Sequence, residues 1–245
     1  MTPVMQVMLE HASVRSFQGK AIDSDLLEQI IQCGQAAASS SFIQAYSVVQ
    51  VKNPENRKLI AQAAGNQQWV VDAPEFLIFC ADMQRIQYAC DKHQMGALPG
   101  QAEHFISSTV DVALMAQNVF LAAESAGLGG VYIGGIRNNP QVICDCLQLP
   151  ELVYPVFGMC LGWPQRNMPV KPRMPVANIL HQDHYDASEI HQQVDDYDQQ
   201  MEDYYAQRSE NVKTSNWSEQ TAQSMMGKKR EHMLAFLQDR GFAKC

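Results

Sequence analysis

The spacing of apolar residues predicts four short strands along the chain. Residues 47–51 form a Val-rich run that an Asn-Pro pair stops, and residues 76–81 are apolar without interruption. A run that is apolar at every position is typical of a strand buried on both faces, so 76–81 is predicted as the central strand. Two further strands are predicted over 131–133 and 153–161.

Helical periodicity accounts for most of the remaining chain. Apolar residues at i, i+3 and i+4 predict a helix over 2–9, and Asp25 with Glu28 has the D-x-x-E form of a helix start. Residues 101–127 predict a long helix that is apolar around most of its circumference, as expected inside a domain or across a dimer interface. Other helices are predicted over 54–64, 139–147 and 188–208, after 65–69 and from Ser218 onward. The polar composition of 188–208 is typical of a helix that packs on a partner chain or crosses solvent.

Composition limits the classes of protein to be considered. The 245 residues are 46% hydrophobic, enough for a substantial core, and the formal net charge of -8 disfavours non-specific nucleic-acid binding. Seven scattered cysteines without a C-x-x-C pair indicate a reducing compartment. The N-terminus shows no signal peptide, and the apolar stretch 110–123 is interpreted as too short and too polar to cross a bilayer. A soluble, cytoplasmic protein is therefore expected.

Hydrogen-bond donors are concentrated in the five residues that begin at His11. In an extended chain, residues at i, i+2 and i+4 project from one face, so His11, Ser13 and Arg15 are predicted to converge. Charge-assisted donors of this kind suit a phosphate, although a solvated loop with an incidental arginine is the alternative. Lys171 and Arg173, which flank a proline, either add two cations for the same phosphate or are ordinary surface charge.

The other polar and small residues suit a flat, phosphorylated ligand better than a protein nucleophile. The Gly-rich residues 127–135 follow a helix and bracket a strand, so they present bare backbone N–H groups without forming a Rossmann site. The small residues 36–41 indicate either a close backbone approach or a Ser-rich loop. His181 and His184 lack an evident third metal ligand, and no common nucleophile motif is present. This inventory predicts a cofactor whose own chemistry carries the reaction.

The chain resembles the oxygen-insensitive NADPH nitroreductases and flavin reductases along its whole length. It is most similar to the subgroup of the major bacterial nitroreductase and the NADPH–FMN oxidoreductase of luminous bacteria. The residues that carry the resemblance are His11-x-Ser13-x-Arg15, Ser39-Ser40-Ser41-Phe42, Gln67, the Gly-rich run 129–139, Leu161-Gly162-Trp163-Pro164 and Lys171-Pro172-Arg173. The resemblance implies an α+β fold, with a central mixed, mainly antiparallel sheet flanked by helices, in an intertwined homodimer. A single domain over 1–245 is expected, with 188–245 as a helical arm on the partner subunit.

The resemblance also implies the site, with one FMN at each of two sites on the subunit interface. The expected contacts to the phosphate, ribityl chain and pyrimidine edge are His11, Ser13, Arg15, Lys171 and Arg173. Those to the ribityl chain and ring are Ser39, Ser40, Gln67, Tyr132, Ile133, Gly134 and Gly135. Positions on the substrate side are Ser41, Phe42, Glu103 and Arg230, and those for the NADPH phosphate are Arg208 and Lys213. No catalytic side chain and no metal are implied, because the flavin carries the hydride.

The activity implied is two-electron, ping-pong hydride transfer from NADPH through FMN to nitroaromatics, quinones or free flavin. The alternative is a flavin-binding carrier or redox sensor without turnover, which needs the phosphate contacts but no nicotinamide contacts. Arg208, Lys213 and Arg230 favour the enzyme. A third hypothesis, a partner-binding module built on 188–208, predicts no bound flavin.

Overall fold

The chain folds as helices around a four-stranded antiparallel sheet, which confirms the predicted α+β class. The computed structural model describes residues 1–207, 215–227 and 230–244. Contacts divide the chain into two compact units, Met1–Met168 with Arg230–Cys245 and Pro169–Lys229.

The elements of the first unit alternate between helix and strand along most of its length. Its strands are β1 Tyr46–Gln50, β2 Glu75–Asp82, β3 Gly129–Ile133 and β4 Val153–Gly162. Its helices before the second unit are α1 Pro3–Leu9, α2 Ser24–Gln35, α3 Pro54–Ala63, α4 Trp69–Asp72, α5 Gln84–Lys92, α6 Ala102–Ser125 and α7 Pro140–Leu147. The second unit contains α8 Ile190–Ala206 and α9 Trp217–Gly227, and the chain then returns to the first unit with α10 Met233–Asp239.

The sheet has the order β1-β2-β4-β3, and each neighbouring pair is antiparallel. Leu77 and Phe79 of β2 pack in one core cluster, whereas Phe76 and Ile78 pack in another. This alternation is the period of two expected of a strand, and it explains why β2 is apolar at successive positions. The prediction of a central strand buried on both faces is confirmed.

The long helix α6 packs with α2 on one face of the sheet, and α3 and α7 cover the other face. Val112 and Val119 of α6 are fully buried, but Ile106, Val110 and Leu114 are 44–52% exposed. The helix therefore has one face in the core and a second apolar face that is open in the single chain.

By length and composition, α6 is apolar enough to cross a membrane. The interpretation of this stretch as too short and too polar was therefore wrong, because the helix extends beyond residues 110–123. Its packing against the sheet and α2 is that of a core helix.

Three helix predictions need correction. The cap of α2 is Asp23 rather than Asp25, because the Asp23 carboxylate accepts the free N–H groups of Asp25 and Leu26. Helix α5 was not predicted, although its inner face carries an i, i+3 pair, Ile86 and Ala89. The helix predicted from Ser218 onward is two helices, α9 and α10.

The second unit has a small core of its own. Helix α8 buries Tyr197, Met201 and Tyr205 at spacings of four residues, and Trp217 meets Tyr197 edge-on with ring centroids 5.7 Å apart. The Asp198 carboxylate accepts the Ser218 N–H at 2.8 Å, which joins α8 to α9. Polar composition alone did not predict this buried stripe. The packing of an arm over 188–245 on a partner subunit stays a prediction.

Candidate functional site

The His11 segment lies against β3. The Val14 N–H donates to the Gly130 carbonyl at 2.7 Å, and the Val14 side chain is buried against Gly129. A Cβ on Gly129 would lie 2.6 Å from Val14 Cγ2, so only glycine permits this approach. With Val14 directed inward, the neighbouring Ser13 is half-buried and Arg15 is exposed.

His11 is held by a carboxylate that the sequence did not identify. Its Nδ1 lies 2.7 Å from Glu124 Oε1 on the second half of α6, and both side chains are partly buried. The imidazole also meets Phe120 edge-on, with ring centroids 5.1 Å apart. Because Glu124 accepts the proton on Nδ1, it orients the ring and leaves Nε2 for another partner.

Arg15 is connected to two other predicted residues through Trp69. The Arg15 guanidinium lies 5.7 Å from the centroid of the indole, and Trp69 Nε1 donates to Gln67 Oε1 at 3.1 Å. Gln67 Nε2 in turn donates to the Ala64 carbonyl at 2.7 Å. A Cβ on Gly135 would lie 2.3 Å from that carbonyl oxygen and from Gln67 Nε2. The structure therefore brings Arg15, Gln67 and Gly135 together.

Tyr132 supplies an aromatic surface and shares the contact with Phe120 that His11 makes. Its ring stacks on Phe120 at 5.2 Å and meets Phe157 edge-on at 5.1 Å. Burial, with a smaller contribution from the Glu124 charge, raises the pKa of the Tyr132 phenol, which therefore stays neutral at physiological pH. Ile133 is buried, and the backbone then turns at Gly134.

The loop that contains Ser39, Ser40, Ser41 and Phe42 contacts a different part of α6. The Ser40 N–H donates to Asp111 Oδ1 at 2.8 Å, and Asp111 lies on α6 well before Glu124. At about 1.5 Å per residue the two carboxylates are about 20 Å apart along the axis. Glu103, exposed in the first turn of α6, is farther still from Glu124. Within one chain, this loop and Glu103 are therefore not brought to the His11 segment.

Arg230 contacts the segment that follows Gly135 in the chain. Its Nε and one terminal nitrogen donate to Asn138 Oδ1 at 3.1 and 2.8 Å, and His232 Nε2 lies 3.0 Å from the Arg137 carbonyl oxygen. Burial lowers the pKa of the Arg137 guanidinium, and the positive charge of Arg230 lowers it further. The residues that lead into α10 thus contact the end of the glycine-rich run.

The remaining predicted residues belong to the second unit. The Lys171 ammonium lies 5.5 Å from the centroid of the Tyr205 ring, and Arg173 is exposed. Their contribution to a phosphate site stays a prediction. Arg208 and Lys213 lie outside the described residues.

The buried thiols of Cys144 and Cys160 do not suit nucleophilic catalysis. Burial raises the pKa of Cys144 to about 11 and that of Cys160 to about 12, so both are neutral thiols near pH 7. Within residues 1–207, 215–227 and 230–244, His, Cys, Asp and Glu side chains form no group of three that could hold a metal. The arrangement instead offers donors, cations and a flat aromatic surface.

Sequence reasoning missed Glu124 and Asp111, the carboxylates that hold two of the predicted segments. A signal was present, because both interrupt an otherwise apolar part of α6. A carboxylate in such a setting needs a partner, but the pattern does not identify which distant residue supplies it.

Comparisons with known proteins find relatives along the whole chain. A sequence model of the nitroreductase family matches residues 8–163, and a model of the nitroreductase family C-terminal domain matches residues 171–245. The chain is 42% identical over 244 residues to the NADPH-flavin oxidoreductase of Vibrio harveyi, covering 100% of both. It is 36% identical over 243 residues to the oxygen-insensitive NADPH nitroreductase of Salmonella typhimurium, covering 99% of both.

Solved structures show the same likeness over the whole chain. Nitroreductase A from Vibrio parahaemolyticus superposes with a TM-score of 0.91 at 41% identity, and the match covers 100% of both chains. Full-length identity and a shared fold confirm the resemblance that the His11, Ser39 and glycine-rich motifs indicated. The chain belongs to the nitroreductase family.

Proposed function

We propose that this chain is an FMN-dependent oxidoreductase that uses NADPH to reduce nitroaromatics, quinones or free flavin by two electrons. The observations that carry the proposal are the contacts that link Arg15 through Trp69 to Gln67 and Gly135, and the packing of the His11 and Tyr132 rings on Phe120. The relatives named NADPH-flavin oxidoreductase and oxygen-insensitive NADPH nitroreductase support the same electron donor and the same classes of acceptor.

The donor set of the first unit fits FMN. His11, Ser13 and Arg15 offer N–H and O–H donors with a permanent positive charge, which suits a phosphate. Glu124 is engaged by His11 and so does not face the phosphate unpaired. The Tyr132 ring and the backbone at Gly134 suit a flat ring that needs close approach.

FMN, when bound, supplies the hydride chemistry: reduction by NADPH, release of NADP and then reduction of the oxidant, in ping-pong order. The chain's own residues bind and orient. Glu124 holds the proton on His11 Nδ1, and Gln67 fixes the approach of Trp69 and Arg15 through its amide. Lys171 and Arg173 would add charge at the phosphate, and Arg208 and Lys213 would hold the 2′-phosphate of NADPH.

The site is completed by a second copy of the chain. In a two-fold dimer, antiparallel α6 helices place the first half of one beside the second half of the other. The loop 39–42 and Glu103 of the second copy then lie near His11 of the first. The exposed apolar stripe of Ile106, Val110 and Leu114 supports this pairing, because it would otherwise face water.

The assembly is tested by placing a charge in that stripe. Leu114→Arg should give monomers that retain little FMN, as judged by sedimentation and by absorbance of the bound flavin. Leu59→Arg is a matched control, because Leu59 is equally exposed but lies on α3, on the opposite face of the sheet. A dimer that persists in Leu114→Arg would contradict an interface along α6.

The reaction is tested by reconstituting the full chain with FMN and adding NADPH without oxygen. Rapid bleaching of the flavin band is the expected result. A bound flavin that stays oxidised would instead favour the carrier or sensor. A chain that retains no flavin would overturn both hypotheses and favour a partner-binding module.

Replacing Arg208, Lys213 and Arg230 together by Ala separates the enzyme from the carrier. Loss of one charge-assisted contact removes about 1.5–3 kcal/mol of binding, so the KM for NADPH should rise at least ten-fold. Undiminished NADPH oxidation would show that these residues do not hold the nicotinamide cofactor.

A cytoplasmic location remains a prediction that fractionation of the cells would test.

A further inference from the structure

We propose that Asp111 is a positioning residue that presents the loop of residues 39–45 to the flavin site. The inference rests on the proposed function, because the flavin is the group that the loop would contact. Asp111 is 1% exposed, and each of its carboxylate oxygens accepts a backbone N–H. Oδ1 accepts from Ser40 at 2.8 Å, and Oδ2 accepts from Ala45 at 3.2 Å.

The loop needs an external clamp because its backbone is strained. Ser41, Phe42 and Gln44 have φ values of 45°, 59° and 52°, in the left-handed region that non-glycine residues rarely adopt. Phe42 is 80% exposed, so burial of its side chain does not hold the loop in the single chain. One carboxylate that binds both ends of the loop fixes the intervening backbone.

The hydroxyl of the neighbouring Tyr46 does not help to hold the loop. This hydroxyl is buried and makes no hydrogen bond within the described part of the chain. Burial raises the pKa of the Tyr46 phenol, and the nearby charge of Asp111 raises it further. Asp111 is therefore close to Tyr46 but uses its oxygens for the loop.

Asp111→Asn tests the clamp with little change of shape. An amide nitrogen cannot accept a hydrogen bond, so one of the two backbone N–H groups loses its partner. We expect hydrogen exchange at Ser40 or Ala45 to accelerate at least ten-fold in the flavin-free protein. We expect the Kd for FMN to rise about five- to ten-fold, as for the loss of one hydrogen bond.

Ser108→Ala is the matched control. Ser108 is equally buried on the same helix, but its hydroxyl donates to the His104 carbonyl at 2.6 Å rather than to the loop. This variant should lose some stability while the exchange of the loop amides and the Kd for FMN stay unchanged. Equal effects of the two variants on FMN binding would show that Asp111 is merely structural.

The outcomes separate the clamp from the proposed function. Loop amides that stay protected in Asp111→Asn would overturn the clamp. If the loop amides exchange faster while the Kd for FMN is unchanged and NADPH still reduces the bound flavin, the positioning role is overturned. The proposed enzyme activity then stands. If the wild-type chain binds no FMN, the proposed function and the positioning role fail together, whereas hydrogen exchange still reports the clamp.

A second pair of variants applies if Asp111→Asn does not fold. Ser40→Ala and Ser40→Pro both remove the hydroxyl, but only proline removes the N–H that Asp111 accepts. Ser40 is the first residue of a short 3-10 turn, a position that tolerates proline. We expect Ser40→Pro to bind FMN about five-fold more weakly than Ser40→Ala. Equal affinities would overturn the proposal.

Discussion

Asp111 and Glu124 are both carboxylates of α6, but they hold their partners in different ways. Asp111 is almost fully buried and binds two backbone N–H groups. The Glu124 side chain is 13% exposed and binds one imidazole, that of His11, which is itself 28% exposed. The first carboxylate fixes the shape of a loop, whereas the second fixes the orientation of a single ring.

The surroundings of the two carboxylates also differ in how tightly they are packed. Near Glu124, the His11 segment lies on β3 and close-packed glycines, where added atoms have no room. Near Asp111, the loop carries the exposed Phe42 and three left-handed residues. One half of the helix thus supports a rigid surface, and the other supports a segment that is shaped by two hydrogen bonds.

The largest difference should appear in stability. Asp111→Ala leaves two backbone N–H groups without an acceptor, and each such group costs about 1–3 kcal/mol, so a loss of roughly 2–6 kcal/mol is expected. Glu124→Ala should cost about 1 kcal/mol, because water can reach His11. Urea unfolding of the flavin-free variants measures both losses. Equal losses would contradict the distinction between a backbone clamp and a side-chain pair.

The rigidity of the surface near His11 is tested by adding one methyl group. Gly135→Ala places Cβ 2.3 Å from a backbone oxygen and should destabilise the fold by about 1–3 kcal/mol. Gly134→Ala is the control, because its Cβ would meet only the guanidinium of Arg137, at 3.2 Å, and no backbone atom. Thermal unfolding of both variants, with the Kd for FMN, measures the effect. Similar melting temperatures of the two variants would show that the backbone around Gly135 shifts to accommodate the added methyl group.

The sequence predicted the elements whose signal is local. The central strand β2 was evident because its run is apolar at every position, and the start of α3 was evident from the Asn-Pro pair. The His11, Ser39 and glycine-rich motifs indicated the family, and the structure shows Arg15, Gln67 and Gly135 together. The resemblance to the family, rather than spacing, implied the roles of Gln67 and Gly135.

The contacts that cross the fold could not be predicted in this way. His11 and Glu124 are far apart in sequence, and only the path of α6 beside β3 brings them together. The same holds for Ser40 with Asp111, because a buried carboxylate needs a donor but does not specify which one. The buried stripe of α8 was missed for another reason, since tyrosines supplied it within a polar segment.

A smaller effect is expected at the side-chain pair. Glu124→Gln keeps an oxygen that can accept from His11 Nδ1 but loses the charge, so the Kd for FMN should rise a few-fold. Glu124→Ala removes the acceptor as well and should raise it about ten-fold. Ser125→Ala, one residue further along α6, is the control, because its hydroxyl donates only within the helix, to the Ala122 carbonyl. Tighter FMN binding in Glu124→Gln would mean that this carboxylate mainly repels the phosphate.

The smallest effect is expected at Tyr46, the buried phenol beside Asp111. Because its hydroxyl has no partner in the described part of the chain, Tyr46→Phe should leave the free energy of unfolding unchanged or raise it by up to about 1 kcal/mol. Tyr154→Phe is the control, since Tyr154 is also buried but its hydroxyl bonds to Thr109, and the loss of that bond should cost about 1 kcal/mol. If Tyr46→Phe is instead the more damaging change, the Tyr46 hydroxyl bonds in solution, with the Asp111 carboxylate as the nearest charged acceptor. Asp111 would then hold a side chain as Glu124 does, and the contrast between the two halves of α6 would be lost.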